Sequence, residues 1–237
     1  MSGMNPEISV IIPALNEEKY IAHPLGGLSR QTFKNFETIV VDGGSHDRTV
    51  KIASGKARVI VERKRGPAAA RNAGAAIAKG KVLVFLDADT RPSPRLLETF
   101  SKAFGSMHII AATGPILPLE KTRRVVGAGY RFVSILFVRF SILIGMPSIV
   151  GANFAVRRRE FIREGGFNEN MLTYEDWDLS MRLRKLGRVC FLKNAIVHTS
   201  VRRISEWGIV GFLKYYTGNI ARYTLFKKPK EDYKAVR

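Results

Sequence analysis

The sequence predicts an α/β fold built on a mostly parallel, Rossmann-like central sheet that is flanked by helices. Short apolar runs rich in β-branched residues alternate with helix-forming segments through residues 8–90, and the connections between them are short. Three of the predicted strands are followed by polar clusters, at 13–17, 42–45 and 87–89. Because the carboxyl ends of parallel strands meet at one edge of a sheet, these clusters predict a ligand site at that edge.

The first strand is predicted over residues 8–12 and is ended by Pro13. The loop that follows leads into a helix, for which Asn16 is the expected N-cap, with acidic residues in the first turn. Residues 37–41 and 58–61 predict the second and third strands. Glycines after the second strand permit a tight turn and a close approach of the backbone to a ligand.

A helix predicted over residues 66–78 opens with a proline suited to its first turn, and its alanines predict tight packing against the sheet. The next run, 82–86, suits a strand buried on both faces. It ends in Asp87 and Asp89, which a strand's period of two places on one face. Two carboxylates without a basic neighbour predict a divalent cation that bridges protein oxygens to a diphosphate. A solvated turn is the alternative, since this short pattern is common.

Composition limits the class of protein. With 237 residues, 46% of them hydrophobic, the chain is long enough for one large α/β domain or for a domain with an appendage. The single cysteine, Cys190, excludes an internal disulfide and a cysteine metal cluster, and it indicates a reducing compartment. The short polar N-terminus leads directly into a strand, so no signal peptide is expected. The net charge of +19 predicts an anionic partner: nucleic acid, an anionic membrane or a phosphorylated substrate.

Two nucleotide-binding patterns are missing from the sequence. The first strand is not followed by G-x-G-x-x-G, and G-x-x-x-x-G-K-[ST] occurs nowhere, so neither a dinucleotide cofactor nor P-loop chemistry is expected.

Seven short motifs instead follow one another along the chain. They are Pro-Ala-Leu-Asn-Glu at 13–17, Asp-Gly-Gly-Ser-His-Asp-Arg-Thr at 42–49, Arg-Asn-Ala-Gly at 71–74, Asp-Ala-Asp at 87–89, Gly-Ala-Asn-Phe-Ala-Val at 151–156, Gly-Gly-Phe-Asn at 165–168 and Glu-Asp-Trp-Asp-Leu at 175–179. As an ordered series they closely resemble the family 2 glycosyltransferases of the GT-A fold, including the polyprenyl- and dolichyl-phosphate sugar synthases.

The chain departs from that family's pattern in two places. It reads Val-Asp42-Gly-Gly-Ser where the family usually has Asp-Asp-Gly-Ser, so only the second aspartate is kept. It also lacks the Gln-x-x-Arg-Trp motif of the processive polysaccharide synthases. The second departure indicates transfer of a single sugar.

The resemblance implies a nucleoside-diphosphate sugar, UDP- or GDP-linked, as the donor. It assigns donor binding to Pro13, Leu15, Glu17, Asp42, Arg71, Asp87, Ala88 and Asp89. It also implies that Asp89 binds Mg²⁺ or Mn²⁺ directly, that Asp87 holds ribose or metal, and that His198 is a further metal ligand. Three alternatives remain open: Asp42 as a turn-forming residue, Arg71 as a surface arginine, and His198 as a core or edge histidine.

The same resemblance assigns the acceptor side. Asp176 becomes the general base that takes a proton from the acceptor, in a single displacement that inverts configuration. Glu175 and Arg202 are implied to contact the acceptor or a phosphate. If the acceptor is already a phosphate, no base is required and Asp176 would position it. From the local sequence alone, both acids are ordinary residues at the first turn of a helix whose apolar stripe begins at Leu179.

The second half of the chain carries an apolar insert and a basic tail. Residues 131–150 approach the length of a membrane span of about 20 residues, but Arg139 near the middle favours an amphipathic helix at the membrane surface. A buried core helix is the alternative. Residues 204–226 predict a C-terminal amphipathic helix with an aromatic belt, followed by a polybasic segment at 227–230. A helix packed on the domain is the alternative there.

We therefore predict a GT-A domain over residues 1–203, with the insert at 131–150, and an amphipathic helix and basic tail over 204–237. The predicted protein is a metal-dependent, inverting glycosyltransferase, peripheral on the cytoplasmic face of the membrane, with a lipid-linked acceptor such as polyprenyl or dolichyl phosphate. A hydroxyl of a non-lipid glycan is the nearest alternative acceptor. Two alternatives from other functional classes are an inactive nucleotide-binding scaffold and a nucleic-acid-binding protein. Nucleic acid is not expected, because the acidic cluster would repel a phosphate backbone.

Overall fold

The computed structural model describes residues 5–120, 127, 131, 133–171 and 173–202. Its strands are β1 (Ile8–Ala14), β2 (Phe36–Asp42), β3 (Arg58–Val61), β4 (Val82–Phe85), β5 (Thr90–Pro92), β6 (Ile109–Thr113), β7 (Ile116–Pro118), β8 (Phe154–Arg157), β9 (Arg188–Phe191) and β10 (Val197–Thr199). Its helices are α1 (Ala22–Ser29), α2 (Thr49–Ser54), α3 (Pro67–Ile77), α4 (Leu96–Phe104), α5 (Val138–Leu143), α6 (Arg158–Arg163) and α7 (Glu175–Leu183).

The main sheet has seven strands in the order β3-β2-β1-β4-β8-β6-β9. Strands β3, β2, β1 and β4 are parallel to one another, and β6 is parallel to β9, whereas β8 is antiparallel to both of its neighbours. The predicted α/β class with a mostly parallel sheet is thus confirmed. The carboxyl ends of β1, β2 and β4 lie side by side, which brings the three polar clusters to one edge.

Helices cover both faces of the sheet, as the continuous apolar strands require. Alternate residues of β1 face opposite sides, so Val10 and Ile12 pack with α1 and α4, whereas Ile11 packs with α3, α6 and α7. Gly74 of α3 shows how close this packing is, since a Cβ there would lie 2.5 Å from Ile11 Cγ2. Four of the six alanines of α3, at positions 68, 69, 70 and 75, are buried, which agrees with the predicted tight contact with the sheet.

A second, three-stranded sheet in the order β5-β10-β7 was not predicted. Strand β5 begins at Thr90, directly after the Asp-Ala-Asp turn, and pairs antiparallel with β10, so that Thr199 lies opposite Thr90. Strands this short carry little periodic signal, because three residues cannot show an alternation. The small sheet matters for the site because it brings residues 197–202 next to Asp89.

The expectation that Asn16 caps the first helix is wrong. Asn16 has a left-handed φ of 55°, and α1 begins only at Ala22. Asn16 is hydrogen-bonded to the loop after β2 instead. Its N–H donates to Ser45 Oγ at 2.8 Å, and its side-chain Oδ1 accepts from the His46 N–H at 2.9 Å. The two loops at the ends of β1 and β2 thus hold each other, which a local helix signal cannot reveal.

The expectation of one helix over 131–150 is also wrong. A π-helical turn over Val133–Phe137 leads into α5, which ends at Leu143, and Gly145 then takes a left-handed φ of 73°. Val138 and Ser141 of α5 are turned inward and buried. The larger apolar side chains face outward: Leu136, Phe137, Phe140, Leu143, Ile144, Met146 and Val150 are exposed. We call this set the apolar face.

Two further points concern membranes and the C-terminus. Throughout the described ranges, every helix is too short or too polar to cross a bilayer. The predicted amphipathic helix and basic tail, 204–237, lie outside the described residues and stay predictions.

Replacing Phe85 by alanine is expected to lower the free energy of unfolding by about 3–5 kcal/mol, because the residue fills the core beneath the site. Phe85 is fully buried, with the ring centres of Phe167, Phe161 and Phe154 at 5.0, 5.4 and 5.9 Å. Urea unfolding of the wild type and the variant measures the loss. Met107→Ala, at a position that is 73% exposed, is the control and should change stability by less than about 0.5 kcal/mol. Equal losses in both variants would contradict this account of the core.

Candidate active site

Two acidic side chains leave the carboxyl end of β4, and each contacts a different arginine. Asp87 Oδ1 accepts a hydrogen bond from Arg71 Nη2 at 2.8 Å, whereas Asp89 Oδ2 lies 3.2 Å from Arg202 Nη2. The Asp87 side chain is 37% exposed and that of Asp89 is 14% exposed. The Asp-Ala-Asp motif therefore joins two charge clusters through Ala88, which is itself buried.

The first cluster, the Arg71 cluster, consists of Arg71, Asp87, Glu175 and Asp176. Arg71 lies on α3 and is only 4% exposed. Its Nη1 donates to Glu175 Oε1 at 2.6 Å, and its Cζ lies 5.5 Å from the centre of the Phe167 ring. Burial alone lowers the pKa of a guanidinium, but the charges of Asp87 and Glu175 outweigh it and raise the pKa of Arg71. The arginine is therefore charged although it is buried, and the alternative of a surface arginine is wrong.

Glu175 and Asp176 are presented by the start of α7, as the helical pattern predicts. The residue before the helix, Tyr174, has a left-handed φ of 65°, a conformation that costs a non-glycine residue about 1–3 kcal/mol. Asp176 Oδ2 accepts a hydrogen bond from the Gly151 N–H at 2.9 Å, and Oδ1 accepts one from the Trp177 N–H at 2.8 Å. Both acids are thus held in place at a strained turn.

The surroundings of these two acids favour their protonated forms. Burial is the larger cause for Glu175, and the charge of Asp176 adds to it, so the pKa of Glu175 is raised. Burial likewise raises the pKa of Asp176, against the hydrogen bond from Gly151. A carboxylate whose pKa is raised accepts a proton more readily than an ordinary aspartate does, which is the property that a general base needs.

The second cluster, the Arg202 cluster, consists of Arg202, Glu17, Asp89, Tyr20 and Thr199. Arg202 Nη1 and Nη2 donate to the two carboxylate oxygens of Glu17 at 2.9 and 2.7 Å, and its Cζ lies 4.6 Å from the centre of the Tyr20 ring. Thr199 Oγ1 lies 3.1 Å from Asp89 Oδ1 and donates to it. Burial raises the pKa of Asp89, and the charge of Asp87 raises it further, while Arg202 acts in the opposite direction.

Asp42 lies where the nucleotide pocket was expected, at the end of β2. It is 2% exposed. Its Oδ2 accepts from the N–H groups of Gly44 and Ser45 at 2.9 and 2.8 Å, and its Oδ1 accepts from the Ser45 hydroxyl at 2.5 Å. All three bonds lie within its own turn, as the turn-forming alternative anticipates. Recognition of a base by Asp42 stays a prediction.

The other predicted donor residues border the same edge. Pro13 lies in β1 opposite Val41, and the Gly43 N–H donates to the Ala14 carbonyl at 2.8 Å, so the ends of β1 and β2 are in contact. Leu15 leaves 39% of its surface exposed just beyond β1. Glu17 was also assigned to the donor-binding residues. Both of its carboxylate oxygens accept hydrogen bonds from Arg202.

His198 lies in β10, between Val197 and Thr199. Successive side chains of a strand point to opposite faces, so the Cβ of His198 faces away from the side on which Thr199 reaches Asp89. Burial lowers the pKa of His198, and the charge of Arg91 adds to the effect. Among the described residues, His198 does not join Asp87 and Asp89 in a group that could hold a metal, and we leave it out of the proposed metal site below.

Two contacts of the site were missed from the sequence. The backbone of Gly151 lies against Arg71, where a Cβ would be 2.5 Å from Nη2. Asn72 holds the loop before α7: its Oδ1 accepts from the Phe167 N–H at 2.9 Å, and its Nδ2 donates to the Phe167 carbonyl at 2.8 Å. Both residues lie within motifs that the sequence displays, but a motif does not say which distant segment it meets.

Comparison with known families matches the description Glycosyl transferase family 2 to residues 9–164. The match runs from β1 through the Asp-Ala-Asp turn and Gly151 to the end of α6. The match therefore includes both aspartates of the Asp-Ala-Asp motif.

Curated relatives include glycosyltransferases of bacteria and archaea. The amylovoran biosynthesis glycosyltransferase AmsB of Erwinia amylovora is 27% identical over 239 residues, which cover 92% of this chain and 75% of AmsB. An uncharacterized glycosyltransferase of Haemophilus influenzae is 29% identical over 74% of this chain and 61% of its own length. Glycosyltransferase GlyG of Streptococcus pneumoniae is 34% identical over 40% of this chain and 34% of GlyG. The chain thus matches only about a third of GlyG and about three fifths of the Haemophilus protein.

Solved structures share the fold. The mannosyltransferase PcManGT from Pyrobaculum calidifontis superposes with a TM-score of 0.68 at 20% identity, over 96% of this chain and 66% of that one. Residues 1–349 of S. aureus TarS superpose with a TM-score of 0.67 at 19% identity, over 94% of this chain and 75% of that one. These likenesses confirm the GT-A fold. Since the family match covers well over half of the sequence, the chain belongs to glycosyl transferase family 2.

Proposed function

We propose that the protein transfers a single sugar from a nucleoside-diphosphate sugar to a lipid-linked acceptor, with a divalent metal and with inversion at the sugar. One observation carries the proposal furthest. The acidic edge of the sheet, with Asp87, Asp89 and Asp176, continues through Gly151 and Val150 into the apolar face. A charged reaction site that borders exposed apolar surface suits an acceptor with a polar head and an apolar chain.

Donor binding at the acidic edge is supported by the solved relatives. PcManGT is described in complex with GDP-Man and Mn²⁺, and TarS in complex with UDP-GlcNAc. In this chain the ends of β1, β2 and β4 converge at one edge of a parallel sheet, and α/β proteins bind their ligands at such an edge. Leu15 offers apolar surface for a base, and Arg202 offers a guanidinium for a phosphate.

A divalent metal fits the carboxylates of this edge when a diphosphate is present. Among the described residues, no three His, Cys, Asp or Glu side chains converge closely enough to hold a metal by themselves. Magnesium sites for nucleotides typically use one or two protein carboxylates, and phosphates and waters supply the other ligands. Asp89 and Asp87 would form that partial set. A bound metal would supply Lewis-acid stabilisation of the leaving diphosphate.

Asp176 would act on the acceptor side. The Gly151 N–H fixes one of its carboxylate oxygens at 2.9 Å. The carboxylate would thus lie beside Val150 and the apolar face, where the acceptor would bind. With a hydroxyl acceptor, Asp176 would take the proton as the oxygen attacks the anomeric carbon. With a phosphate acceptor the attacking oxygen is already ionised, and Asp176 would orient it. A single in-line displacement inverts the configuration in both cases.

A hydroxyl of a non-lipid glycan is the second candidate acceptor. The raised pKa of Asp176 favours it, because a base is needed only for a hydroxyl. AmsB is named as a glycosyltransferase of amylovoran biosynthesis. The apolar face favours the lipid-linked acceptor and a peripheral position at the cytoplasmic face of a membrane, and the net charge of +19 suits anionic lipid there.

Nucleoside diphosphates together with Mn²⁺ are expected to raise the melting temperature of the protein, because a ligand that binds only the folded state stabilises it. One nucleotide should give a larger shift than the others, and the shift should require metal. Asp89→Asn should remove the metal-dependent part of the shift and lower the rate of sugar transfer by at least about 100-fold. Asp178→Asn, on the first turn of α7 but paired with Arg182 outside the site, is the control. No shift with any nucleotide would overturn the proposed function.

The metal-free protein is expected to lose stability as the pH rises towards neutrality, owing to Asp89. Its pKa is raised from 3.8 to about 6 in the folded state, so the folded state holds more protons between these values than the unfolded state does. Stability from this group is therefore fully present below pH 3.8 and is lost as the pH rises through about 6. The loss is at most about 3 kcal/mol.

Urea unfolding in EDTA, repeated from about pH 4 to about pH 7, measures this dependence. The variant Asp89→Asn has no titrating carboxyl at this position, so its stability should decline less over the same range. Identical slopes for the wild type and the variant would contradict the raised pKa of Asp89.

Phe140→Glu and Leu143→Glu are expected to weaken binding to anionic vesicles by at least about tenfold, because a charge replaces apolar surface that would enter the lipid. These side chains are 60% and 81% exposed, so folding should be unaffected. Ile162→Glu on α6, where the residue is 56% exposed, is the matched control and should bind vesicles as the wild type does. Sedimentation with vesicles containing polyprenyl phosphate provides the measurement. Unchanged binding of both face variants would favour the non-lipid acceptor.

A further inference from the structure

We infer that Arg71 is a positioning residue that ties the donor half of the site to the acceptor half, and that it does not bind the nucleotide. The inference rests on the proposed function, which assigns Asp87 to the donor and metal and Asp176 to the acceptor. It replaces the expectation that Arg71 meets the base or a phosphate. The partners of its guanidinium show why.

Both terminal nitrogens of Arg71 are already engaged. Nη2 donates to Asp87 at 2.8 Å, and Nη1 donates to Glu175 at 2.6 Å. The two carboxylates lie 16 and 104 residues further along the chain, one at the end of β4 and the other on α7. One rigid guanidinium therefore sets the distance between two elements that have no covalent reason to be near each other.

The space around the guanidinium is also filled. The Phe167 ring lies 5.5 Å from Cζ, and the Gly151 backbone approaches so closely that a Cβ would lie 2.5 Å from Nη2 and 2.8 Å from Cζ. With 4% of the residue exposed, no room is left for a nucleotide to make contact. Nε is buried and makes no hydrogen bond within the described residues, so the two terminal nitrogens carry the whole polar attachment.

Gly151 links this bridge to the proposed base. Its Cα lies against Arg71, and its N–H donates to Asp176 Oδ2 at 2.9 Å. A shift of the guanidinium would therefore move Asp87 and Glu175, and through Gly151 also Asp176. Arginine suits this bridge because its planar fork presents two donors at a fixed angle, whereas lysine presents a flexible point charge.

The test uses Arg71→Lys, which keeps the charge but loses the fork, and Gly151→Ala, which keeps every charge and displaces the guanidinium. Gly55→Ala is the control, since a Cβ there meets no atom within 4 Å. Nucleotide affinity in Mn²⁺ is measured by calorimetry, and kcat is measured at saturating donor. We expect both site variants to keep the nucleotide Kd within about threefold of the wild type while kcat falls about 100-fold, as for a misplaced reacting group.

Two outcomes would overturn the inference. One is a nucleotide Kd that Arg71→Lys weakens by about tenfold or more with kcat unchanged, which is the result for a residue that binds the donor. The other is a Gly151→Ala protein that keeps wild-type kcat. If the wild type itself transfers no sugar, the proposed function fails, and that result is distinct from either of these.

A stability measurement tests the bridge without activity and without altering Arg71. The variants Asp87→Asn and Glu175→Gln, singly and together, are melted in EDTA. If both carboxylates share one guanidinium, their effects on the melting temperature are not additive. Additive effects would show that Arg71 does not couple the two positions, and they would overturn the inference whatever the enzyme transfers.

Discussion

The compensation of carboxylates by two buried arginines is the interaction on which the rest of this site depends. Glu17, Asp87, Asp89, Glu175 and Asp176 approach one edge of the sheet. Among the described residues, Arg71 contacts Asp87 and Glu175, and Arg202 contacts Glu17 and Asp89. Removing such a partner from a buried pair leaves an uncompensated charge and typically costs about 3–5 kcal/mol. The acidic edge is therefore held in shape by its arginines, and among the described residues its carboxylates outnumber the arginines that contact them.

The two arginines differ in what surrounds them. Arg71 is enclosed by Phe167, Gly151 and its two carboxylates, so it behaves as part of the core. Arg202 lies against the Tyr20 ring, where both Glu17 and Asp89 compete for its guanidinium. A diphosphate and a metal would compete for the same groups. Arg71 is thus suited to hold neighbouring elements in fixed positions. Arg202 is suited to exchange a carboxylate for a phosphate when ligands bind.

Much of the fold and part of the site could be predicted from local patterns. The apolar runs at 8–12, 37–41, 58–61 and 82–86 became four adjacent parallel strands, because continuous apolar strands must be covered on both faces. The start of α7 followed from its acids and apolar stripe. The N-cap at Asn16 and the length of the 131–150 helix were predicted wrongly, because in both places hydrogen bonds or turns set by other segments replaced the local preference.

The sequence by itself determined the fold class, the edge at which the site lies and the residue types available there, since periodicity, turn residues and ordered motifs are local properties. The tertiary structure alone decided which charges meet: Arg71 with Asp87 and Glu175, and Arg202 with Glu17 and Asp89. These pairings join residues 16 to 185 positions apart. Ion pairing and hydrogen bonding act over a few ångströms in space. A pattern along the chain therefore identifies candidate residues but does not predict which of them pair with each other.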